Sequence, residues 1–490
     1  MYRFPNRRRT VAWPTHTTDR REPGSSRGSP WMAGSSRFEA QPNAREKSAA
    51  AFSMRSMRGE DIAAGRFRRP HRPAGCGERR SCARCPAGGL SLARHAVALS
   101  LALLSSACFG IGRKPVGEVY LAPEAPDRGP DFSNALYQTT AVRLQSGNSV
   151  DFINNGNVFD AMVAEIAKAR RSIHIVSFIW ADGEVSKRLM TAIAARARAG
   201  VQCRILVDAV GSLSLTDEEV APLTGAGCKV RRSRPVPGQD DLARNHRKIV
   251  LVDGRVGITG GFGIDDRWRG DGVSGESWRD SNVRVRGPAV LEMQQAFAEN
   301  WQETTQELLP ADAFPEPERP GKVRAAFVSS TEHGIVTHND RLTQLFIAAA
   351  HERIWLANAY FLPSEPILQL LERKARQGVD VRILAAGDKT DTGPYLGPQR
   401  ERMDRLIAAG AKAYEYEPSM MHSKTMLVDR SLVAVGSCNL DPLSLNKMDE
   451  GALVADDPAL AKQLERQWTQ DLSHAKERGK PRGQVADTRR

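Results

Sequence analysis

The fold of this chain is decided by two stretches that repeat each other, NHRKIVLVDGRVGITGG at residues 245–261 and MHSKTMLVDRSLVAVGS at residues 421–437. Each stretch carries the pattern His-x-Lys-x4-Asp, followed by Gly-Gly or Gly-Ser, and His246 and His422 are 176 positions apart. One copy would be explained by an exposed strand face. Two copies in the same frame instead indicate a duplicated structural unit whose polar residues have a function.

The flanking sequence is repeated as well. SIHIVSFIW (172–180) matches RIWLANAYF (353–361), and GVQCRILVD (200–208) matches GVDVRILAA (378–386). These short runs rich in Val, Ile and Leu predict strands, and the apolar spacing near 3.6 residues between them predicts helices. In each half we therefore expect helix and strand to alternate three times, followed by the His-x-Lys strand and one further strand.

This alternation predicts the α/β class, with two tandem α/β/α sandwich repeats related by a pseudo-twofold axis and helices on both faces of each sheet. Such an arrangement would bring the two His-x-Lys strands to one cleft. We expect these segments along the chain: a disordered basic extension over 1–90, a signal segment over 91–108, a linker over 109–147, the first repeat over 148–308, a Pro-rich linker over 309–322, the second repeat over 323–475 and a polar tail over 476–490.

The positive charge of the chain is confined to its beginning. The net charge is +13, yet residues 1–115 hold 22 Lys and Arg against 7 Asp and Glu, so the rest of the chain carries a net charge of −2. A broad basic surface for nucleic acid is therefore not expected on the folded part. Residues 1–90 are rich in Arg, Pro, Gly and Ser without a hydrophobic period, which predicts disorder.

An apolar run lies in LARHAVALSLALLSSACFG, residues 92–110. It is too short to span a bilayer and has the size of a signal-peptide core. The small residues before Cys108 predict either a lipidated Cys108 or ordinary cleavage after Ala107, and a buried helix beneath a disordered arm is the alternative. A signal this far along predicts a true translation start nearer Leu90.

The seven cysteines predict neither a zinc site nor a disulfide framework. One CxxC pair lies in the basic extension, but no second pair or His cluster completes a zinc site. Past Cys108 only Cys203, Cys228 and Cys438 follow, which are too few for a framework even in an exported protein.

The His-x-Lys pairs predict chemistry at phosphorus. Residues i and i+2 of a strand point to one face, so His246 projects with Lys248 and His422 with Lys424. The ammonium groups can neutralise phosphate oxygens, while an imidazole acts as nucleophile or proton carrier near neutral pH. The two pairs supply a nucleophile and also the positive charge that Mg²⁺ often provides in such reactions. Neither a metal nor another cofactor is therefore predicted.

The duplicated HxKx4D pattern, with GSCNLDPLSL after the second copy, resembles the phospholipase D superfamily. WRDSNVRVRGPAVLEMQQAFAENW (278–301) and the region 169–208 are similar to the bacterial cardiolipin synthases in particular, and the likeness covers about residues 148–475. It implies two phospholipase D-type repeats and a two-step displacement. One His attacks the phosphodiester to form a phosphohistidine, while the other protonates the leaving alcohol and then deprotonates the incoming one.

The resemblance also implies a role for each motif residue. His246 is expected to attack, His422 to act as acid and base, Lys248 and Lys424 to hold the phosphate, and Ser437 and Asn439 to serve as neutral phosphate donors. Asp253 and Asp429 complete the motif, and we expect them to fix the strand ends rather than to touch substrate.

Each imidazole further needs an acceptor on its far nitrogen to set its tautomer. The family places a carboxylate about 25–35 residues downstream, and Asp280 and Glu450 lie 34 and 28 residues after the two histidines. Two positions depart from the family pattern, since Gly263 and Met448 stand where relatives usually carry Asn. Loss of one phosphate donor at Gly263 is expected to lower activity or to change the head-group preference.

Three functions follow from the resemblance. The first is a phosphatidyltransferase that joins two phosphatidylglycerols into cardiolipin at the exported face of a bacterial membrane. The others are a phospholipase D that hydrolyses phospholipids and a nuclease, with a non-catalytic binding module as a distant fourth. The partners expected are membrane phospholipid and the membrane surface, not nucleic acid. Trp268, Tyr360 and Phe361 are predicted either to dock on that surface or to form core and pocket wall.

Overall fold

The computed structural model describes residues 124–235, 243–274, 277–331 and 337–479. The predicted basic extension, the signal segment with Cys108 and residues 109–123 of the predicted linker over 109–147 lie outside these described residues. Within the described part of the chain, no helix has both the length and the apolar character that crossing a bilayer requires.

The first repeat follows a leading helix, α1 (Gly129–Thr140). Its elements are, in chain order, β1 (Gln145–Asn154), α2 (Asn157–Ile166), β2 (Ser172–Ser177), α3 (Glu184–Arg198), β3 (Gln202–Asp208), α4 (Asp217–Gly225), β4 (Lys229–Ser233), β5 (Ile249–Val252), β6 (Val256–Gly260), a 3₁₀ turn (Asp266–Trp268), β7 (Ser281–Arg286) and α5 (Ala289–Thr305).

The second repeat has the same succession and a short extension. After a 3₁₀ turn (Ala311–Ala313), its elements are β8 (Val323–Ser330), α6 (His338–Ala349), β9 (Arg353–Asn358), α7 (Glu365–Arg376), β10 (Asp380–Ala386), α8 (Gly393–Ala408), β11 (Lys412–Tyr416), β12 (Thr425–Val428), β13 (Leu432–Gly436), α9 (Pro442–Asn446), β14 (Glu450–Asp456), α10 (Pro458–Leu472) and β15 (Ala475–Glu477).

The strands of both repeats form one continuous sheet. The spatial order is β1-β7-β6-β5-β2-β3-β4 in the first repeat and β8-β14-β13-β12-β9-β10-β11-β15 in the second. β1 and β8 pair antiparallel at the junction, with Gln145 opposite Ala325 and Asn148 opposite Val323. Because the order is the same on both sides of this junction, the predicted α/β repeats and their pseudo-twofold relation are confirmed.

The predicted alternation of helix and strand is present, but the structure adds strands that the sequence analysis did not predict. β1 and β8 open the two repeats, and β7 and β14 close the sheets beside them. β1 escaped prediction because its sequence, QSGNSVDFIN, is polar and most of it is only half-buried. His246 and Lys248 also differ from the prediction, because they lie in extended chain just before β5 rather than within it.

The polar tail predicted over 476–490 begins inside the last strand. β15 pairs antiparallel with β11, so that Tyr414 lies opposite Glu477. Arg478 then forms ion pairs with Asp404 at 2.8 Å and with Glu415 at 3.1 Å. Within the described residues of this stretch, 476–479, the strand pairing and the ion pairs of Arg478 give partners on the sheet and on α8.

The burial of the central strands explains why short apolar runs in the sequence predicted these strands correctly. Every residue of β2 and of β5 is buried, because helices cover both faces of the sheet there. Even His174 on β2 belongs to this core, where it stacks on Phe297 and hydrogen-bonds Gln294. Burial lowers the pKa of His174 to about 4, so this imidazole is neutral near pH 7.

One disulfide is present, which the cysteine count did not predict. Cys203 on β3 and Cys228 just before β4 are bonded to each other, and both are buried. β3 and β4 are parallel neighbours, so the pairing of the strands brings the two side chains together. A count of three cysteines excluded a framework of several disulfides but said nothing about a single one.

Candidate active site

Each predicted histidine lies on a short segment that is held by the other repeat. The His246 backbone N–H donates to the Asp449 carbonyl at 2.9 Å, and the Asp449 N–H donates to the Arg244 carbonyl at the same distance. On the other side of the pseudo-twofold, the His422 N–H donates to the Arg279 carbonyl at 2.7 Å. These short parallel bridges fix both histidine segments against the strands β14 and β7.

The two imidazoles line one cavity of about 200 Å³. Its walls come from both repeats and consist of Phe178, Ile179, His246, Lys248, Trp268, Trp278, Tyr360, Asp391, Thr392, Tyr395, His422, Asn439, Asp441, Leu443, Ser444 and Met448. Lys424 is buried beside this group, and its positive charge adds to the burial that lowers the pKa of both imidazoles. The structure thus brings together both His-x-Lys pairs.

The two lysines have matching geometry. Lys248 Nζ donates to the His246 carbonyl at 2.7 Å, and Lys424 Nζ donates to the His422 carbonyl at 2.6 Å. Burial lowers the pKa of Lys248 to about 7 and that of Lys424 to about 8. An anionic group in the cavity would favour the charged form of both, because its negative charge repays part of their lost hydration.

The two carboxylates predicted to orient the histidines each lie beside the histidine of the other repeat. Asp280 and Glu450 were each expected beside the histidine of their own repeat. Instead His246 Nδ1 lies 2.8 Å from Glu450 Oε1, and His422 Nδ1 lies 3.2 Å from Asp280 Oδ2. The pairing is crossed because each carboxylate stands at the start of a closing strand, β7 or β14, which borders the histidine segment of the other repeat.

Burial and charge set the protonation of these two pairs. Desolvation lowers the pKa of His246 and, assisted by the Lys424 charge, lowers that of His422 well below its ordinary value. Burial opposes the ionised form of Glu450, but the hydrogen bonds from His246 and Ser437 and the charge of Lys248 act against it, so the pKa of this carboxyl is lowered. Burial raises the pKa of Asp280 to about 6. The free cavity therefore contains neutral imidazoles whose Nδ1–H groups point at carboxylates.

Ser437 and Asn439 occupy different layers of the site. The Ser437 hydroxyl donates to Glu450 Oε2, and the side chain is fully buried behind the cavity wall. It therefore supports the carboxylate instead of occupying the expected place against a phosphate. Asn439 does line the cavity, and its Oδ1 is buried without a hydrogen-bond partner among the described residues.

Gly263 lacks the Asn side chain for a steric reason. A Cβ at Gly263 would lie 2.8 Å from the Trp268 ring and 3.2 Å from Ile179 Cβ. The Trp268 indole thus fills the space that Asn439 uses in the second repeat. Its Nε1–H donates to Asp280 Oδ2 at 2.8 Å, so the indole also holds the carboxylate that orients His422.

The predicted membrane-docking role is wrong for two of the three aromatic residues. Trp268 and Phe361 are buried, and Tyr360 is half-buried in the cavity wall. Trp268 contacts the His422 ring edge-on at a centroid distance of 5.0 Å, and Trp278 lies 5.2 Å from the same ring. These aromatics therefore belong to core and pocket wall, the alternative given for them above.

Asp253 and Asp429 lie away from the cavity, at the far ends of β5 and β12. Both residues have positive φ, 55° and 48°, and stand where the chain turns. The Asp253 carboxylate accepts hydrogen bonds from the backbone N–H groups of residues 170–172, and Asp429 accepts from those of residues 351–353. The aspartate of each motif thus ties its strand to the start of a neighbouring strand.

The sequence analysis missed Arg247, which lies between His246 and Lys248. Its guanidinium is fully buried and donates to the carbonyls of Ala296, Glu450 and Ser330. It therefore holds the segment that carries Glu450 from the opposite repeat. The signal was the asymmetry of the motifs, since His-Arg-Lys in the first repeat corresponds to His-Ser-Lys in the second.

Positive charge at the site is supplied by the lysines described above. Among the residues that the structure describes, no group of three or more His, Cys, Asp or Glu side chains is placed to hold a metal ion.

Comparison with known proteins assigns the family. Residues 162–301 and 326–472 match the family model described as cardiolipin synthase, PLD-like domain. Cardiolipin synthase A of Pseudomonas aeruginosa (strain LESB58) is 32% identical to this chain over 348 residues, which are 70% of this chain and 71% of that protein. Cardiolipin synthase of Geobacillus kaustophilus (strain HTA426) is 32% identical over 362 residues, 72% of each chain.

The fold is also found in a solved structure. The crystal structure of phosphatidylserine synthase from Haemophilus influenzae Rd KW20 matches with a TM-score of 0.58 and 12% sequence identity, covering 71% of this chain and 92% of that chain. At this identity the likeness concerns the fold. Together with the family match, it leads to one conclusion: the chain is an enzyme of the phospholipase D superfamily and belongs to the family of cardiolipin synthase PLD-like domains.

Proposed function

We propose that this enzyme is a phosphatidyltransferase that joins two phosphatidylglycerol molecules into cardiolipin and releases glycerol. The observation that carries the proposal is the pair of buried imidazoles on one small cavity, each with its Nδ1 held by a carboxylate of the other repeat. The relatives named cardiolipin synthase support the choice of substrate.

In the first step, His246 attacks the phosphorus of a bound phosphatidylglycerol. Its Nδ1–H donates to Glu450, so the lone pair is on Nε2, and its lowered pKa keeps the ring neutral and nucleophilic. The bond from phosphorus to the glycerol oxygen breaks, and protonated His422 gives its proton to that oxygen. The products are a phosphatidyl-His246 intermediate and glycerol.

His422 needs a proton before this step, although burial and Lys424 lower its pKa in the free enzyme. The diester anion and the ionised Asp280 would both favour its charged form once substrate is bound. Lys248 and Lys424 are placed to neutralise the phosphate oxygens while negative charge develops on them.

In the second step, a hydroxyl of a second phosphatidylglycerol gives its proton to neutral His422 and attacks the phosphohistidine. The P–N bond to His246 breaks and cardiolipin is formed. Transfer rather than hydrolysis requires that water be kept from the intermediate. The small volume of the cavity and its walls of Phe178, Trp268 and Trp278 support this exclusion.

We further propose that the enzyme works at the exported face of a bacterial membrane. The disulfide between Cys203 and Cys228 supports an oxidising compartment, because such bonds rarely persist in the cytosol. The predicted lipidation of Cys108 would add an acyl anchor, and mass spectrometry of the native N-terminus tests it. Recovery of peptides from residues 1–60 would contradict the predicted translation start nearer Leu90.

The function is tested by supplying the purified full chain, without added metal, with phosphatidylglycerol vesicles and separately with single-stranded DNA. Cardiolipin and glycerol in equal amounts are the expected products. Phosphatidate as the main product would make the enzyme a hydrolase, cleaved DNA would make it a nuclease, and loss of activity on chelation would contradict the mechanism.

Two variants complete the test. His246→Ala and His422→Ala should each abolish turnover, and a single variant that remains active would refute a site with two histidines. His351→Ala is the matched control, because His351 is exposed and lies outside the cavity, and it should keep the activity of the unmodified chain.

A further inference from the structure

The catalytic cavity has two chemically different walls, one from each repeat. The first repeat supplies apolar side chains, namely Phe178, Ile179, Trp268 and Trp278. The second repeat supplies mainly hydroxyl, amide and carboxylate groups, namely those of Tyr360, Asp391, Thr392, Tyr395, Asn439, Asp441 and Ser444. A phosphodiester held between the two His-x-Lys pairs would therefore have an apolar surface on one side and a polar surface on the other.

This difference is built at matched positions of the two repeats. Ile179 and Tyr360 are both the eighth residue of the aligned stretches 172–180 and 353–361. Trp268 and Ser444 are 176 positions apart, the same offset as the two histidines. Because all four of these side chains line the cavity, the difference in polarity at these two places comes from the choice of residue.

The Asp391 carboxylate on the polar wall is held by two neighbouring hydroxyl groups. The Tyr360 hydroxyl donates to its Oδ1 at 2.8 Å and lies 3.1 Å from its Oδ2, and the Thr392 hydroxyl donates to Oδ1 at 3.2 Å. Tyr395 packs edge-on against the Tyr360 ring, with centroids 5.6 Å apart. Two hydroxyl donors and one packed ring thus fix a carboxylate that is otherwise exposed at the cavity mouth.

A second, independent feature points to a ligand at this wall. Asn439 is 3% exposed and lines the cavity, yet its Oδ1 makes no hydrogen bond within the described residues. A buried amide oxygen without a partner costs free energy unless a donor reaches it. A donor on a bound molecule, such as an alcohol hydroxyl next to the phosphate, would satisfy it.

We propose that the second-repeat wall is the alcohol subsite of the enzyme, where Asp391 accepts hydrogen bonds from the vicinal hydroxyls of a polyol head group, and that the first-repeat wall receives the diacylglycerol side of the diester. This assignment rests on the proposed phosphatidyltransferase function and names its specificity-determining residues, Asp391 and Tyr360.

The composition of the wall favours a polyol over an ammonium head group. Each alcohol hydroxyl both donates and accepts a hydrogen bond, and the wall offers acceptors together with the hydroxyls of Thr392, Tyr395 and Ser444. An ammonium ion uses acceptors only. The positive charge of an ammonium head group would also be repelled by Lys248 and Lys424, which the proposed mechanism uses to neutralise the phosphate.

Asp391 also acts on groups that the proposed mechanism uses. Burial lowers the pKa of His422 and of Lys424, and the charge of Asp391 partly offsets this lowering. The leaving and entering alcohols exchange their proton with His422, which lines the same cavity as the polar wall. Burial and the charge of Asp391 also raise the pKa of Tyr360, so its hydroxyl stays protonated and continues to donate.

The test measures transfer from phosphatidylglycerol vesicles to two free alcohols of equal carbon number, deuterated glycerol and 1-propanol, with products followed by mass spectrometry. In the full chain, Asp391→Asn should lower the ratio of glycerol to propanol transfer about tenfold, because one hydrogen bond to a charged acceptor is lost. Tyr360→Phe should lower the same ratio about threefold. Asp388→Asn is the matched control, since Asp388 lies on the same loop, pairs with Arg400 outside the cavity, and should leave both rates unchanged.

The outcomes separate this inference from the function on which it rests. An unmodified enzyme that transfers to neither alcohol and makes no cardiolipin would overturn the proposed function and the subsite with it. Transfer by the unmodified enzyme with an unchanged ratio in Asp391→Asn, or an equal loss with both alcohols, would overturn the subsite alone. Preference of the unmodified enzyme for ethanolamine over glycerol would likewise replace the polyol by an ammonium head group.

Discussion

The two repeats are alike in the geometry of their His-x-Lys segments and differ in the side chains that line the cavity beside these segments. Both place a histidine in extended chain before a buried strand, and both return a lysine ammonium to the histidine carbonyl. The first repeat then packs an indole over Gly263, whereas the second uses Asn439 and Ser444 at the corresponding places. The two repeats therefore share the His-x-Lys geometry, while the side chains around it differ in polarity.

The largest expected effect concerns the two histidines, which are alike in geometry but have different proposed roles. His246→Ala and His422→Ala should each lower turnover by at least about a thousandfold, because each removes a group that bonds to the reacting atoms. Only His422→Ala should accumulate a covalent phosphatidyl-enzyme, which mass spectrometry of peptides containing His246 detects. An adduct on His422 in the His246→Ala enzyme would reverse the two roles.

The next effect concerns the disulfide, which only the first repeat has. The positions that correspond to Cys203 and Cys228 are Val381 and Ala411, both buried. The double variant Cys203→Val and Cys228→Ala imitates the second repeat and should lose about 3 kcal/mol of unfolding free energy, the entropy of a closed loop of this length. Urea unfolding measures the loss. Reducing agent should lower the unfolding free energy of the unmodified chain to that of the variant and should leave the variant unchanged. Equal unfolding free energies of the two proteins without reductant would contradict the prediction.

The crossed carboxylates should follow, with about a hundredfold loss of turnover in Glu450→Gln and in Asp280→Asn. Each variant removes the acceptor that orients an imidazole of the opposite repeat. Single-turnover kinetics should show slowed formation of the phosphohistidine in Glu450→Gln and slowed proton transfer at His422 in Asp280→Asn. The reverse assignment of slowed steps would mean that each carboxylate serves its own repeat.

A smaller effect comes from making the first repeat resemble the second at the cavity wall. Gly263→Asn should cost about 2 kcal/mol of unfolding free energy, because its side chain meets the Trp268 ring. In a Trp268→Ser background the same change should cost at least about 1 kcal/mol less, which thermal unfolding of the double-mutant cycle measures. Gly225→Asn is the control, since a Cβ there meets nothing within 4 Å. Equal costs in both backgrounds would show that the indole is not the obstacle.

The smallest effect is in the dependence of kcat/KM on pH. Asp280, with a pKa of about 6, is ionised above that pH, while Lys248 and Lys424, with pKa values of about 7 and 8, are charged below theirs. The rate should therefore rise as pH increases through about 6 and fall as it increases above about 7, by at most about tenfold per unit for each group. Asp280→Asn should remove the rising limb, and Glu450→Gln should keep it. A rising limb that survives in Asp280→Asn would assign it to another group.

Much of the fold was predictable because its signals are local. The buried strands are short runs of Val, Ile and Leu, and the motifs repeat at a constant offset, so the alternation and the duplication could be read directly. β1 was not predictable, since it is polar and most of it is only half-buried, and it gains its place by pairing with β7 and β8. The disulfide was missed for a similar reason, because its two cysteines meet only through strand pairing.

The site was predictable as a set of residues but not as a set of contacts. Spacing along the chain identified Asp280 and Glu450, yet no spacing within one repeat tells which imidazole lies across the junction. Ser437 was expected against the phosphate, although its hydroxyl is used by Glu450. Arg247 was missed because a buried guanidinium and a solvated one look the same in a sequence.

The crossed His–carboxylate contacts make each half of the chain incomplete without the other. A half-length chain would contain an imidazole without its acceptor and an acceptor without its imidazole, so it would regain a complete centre only by associating with a second copy. In the full chain, a mutation near Glu450 acts directly on His246, because the two side chains are in contact although they are 204 residues apart in the sequence. A substitution in either half can therefore change the histidine centre of the other half.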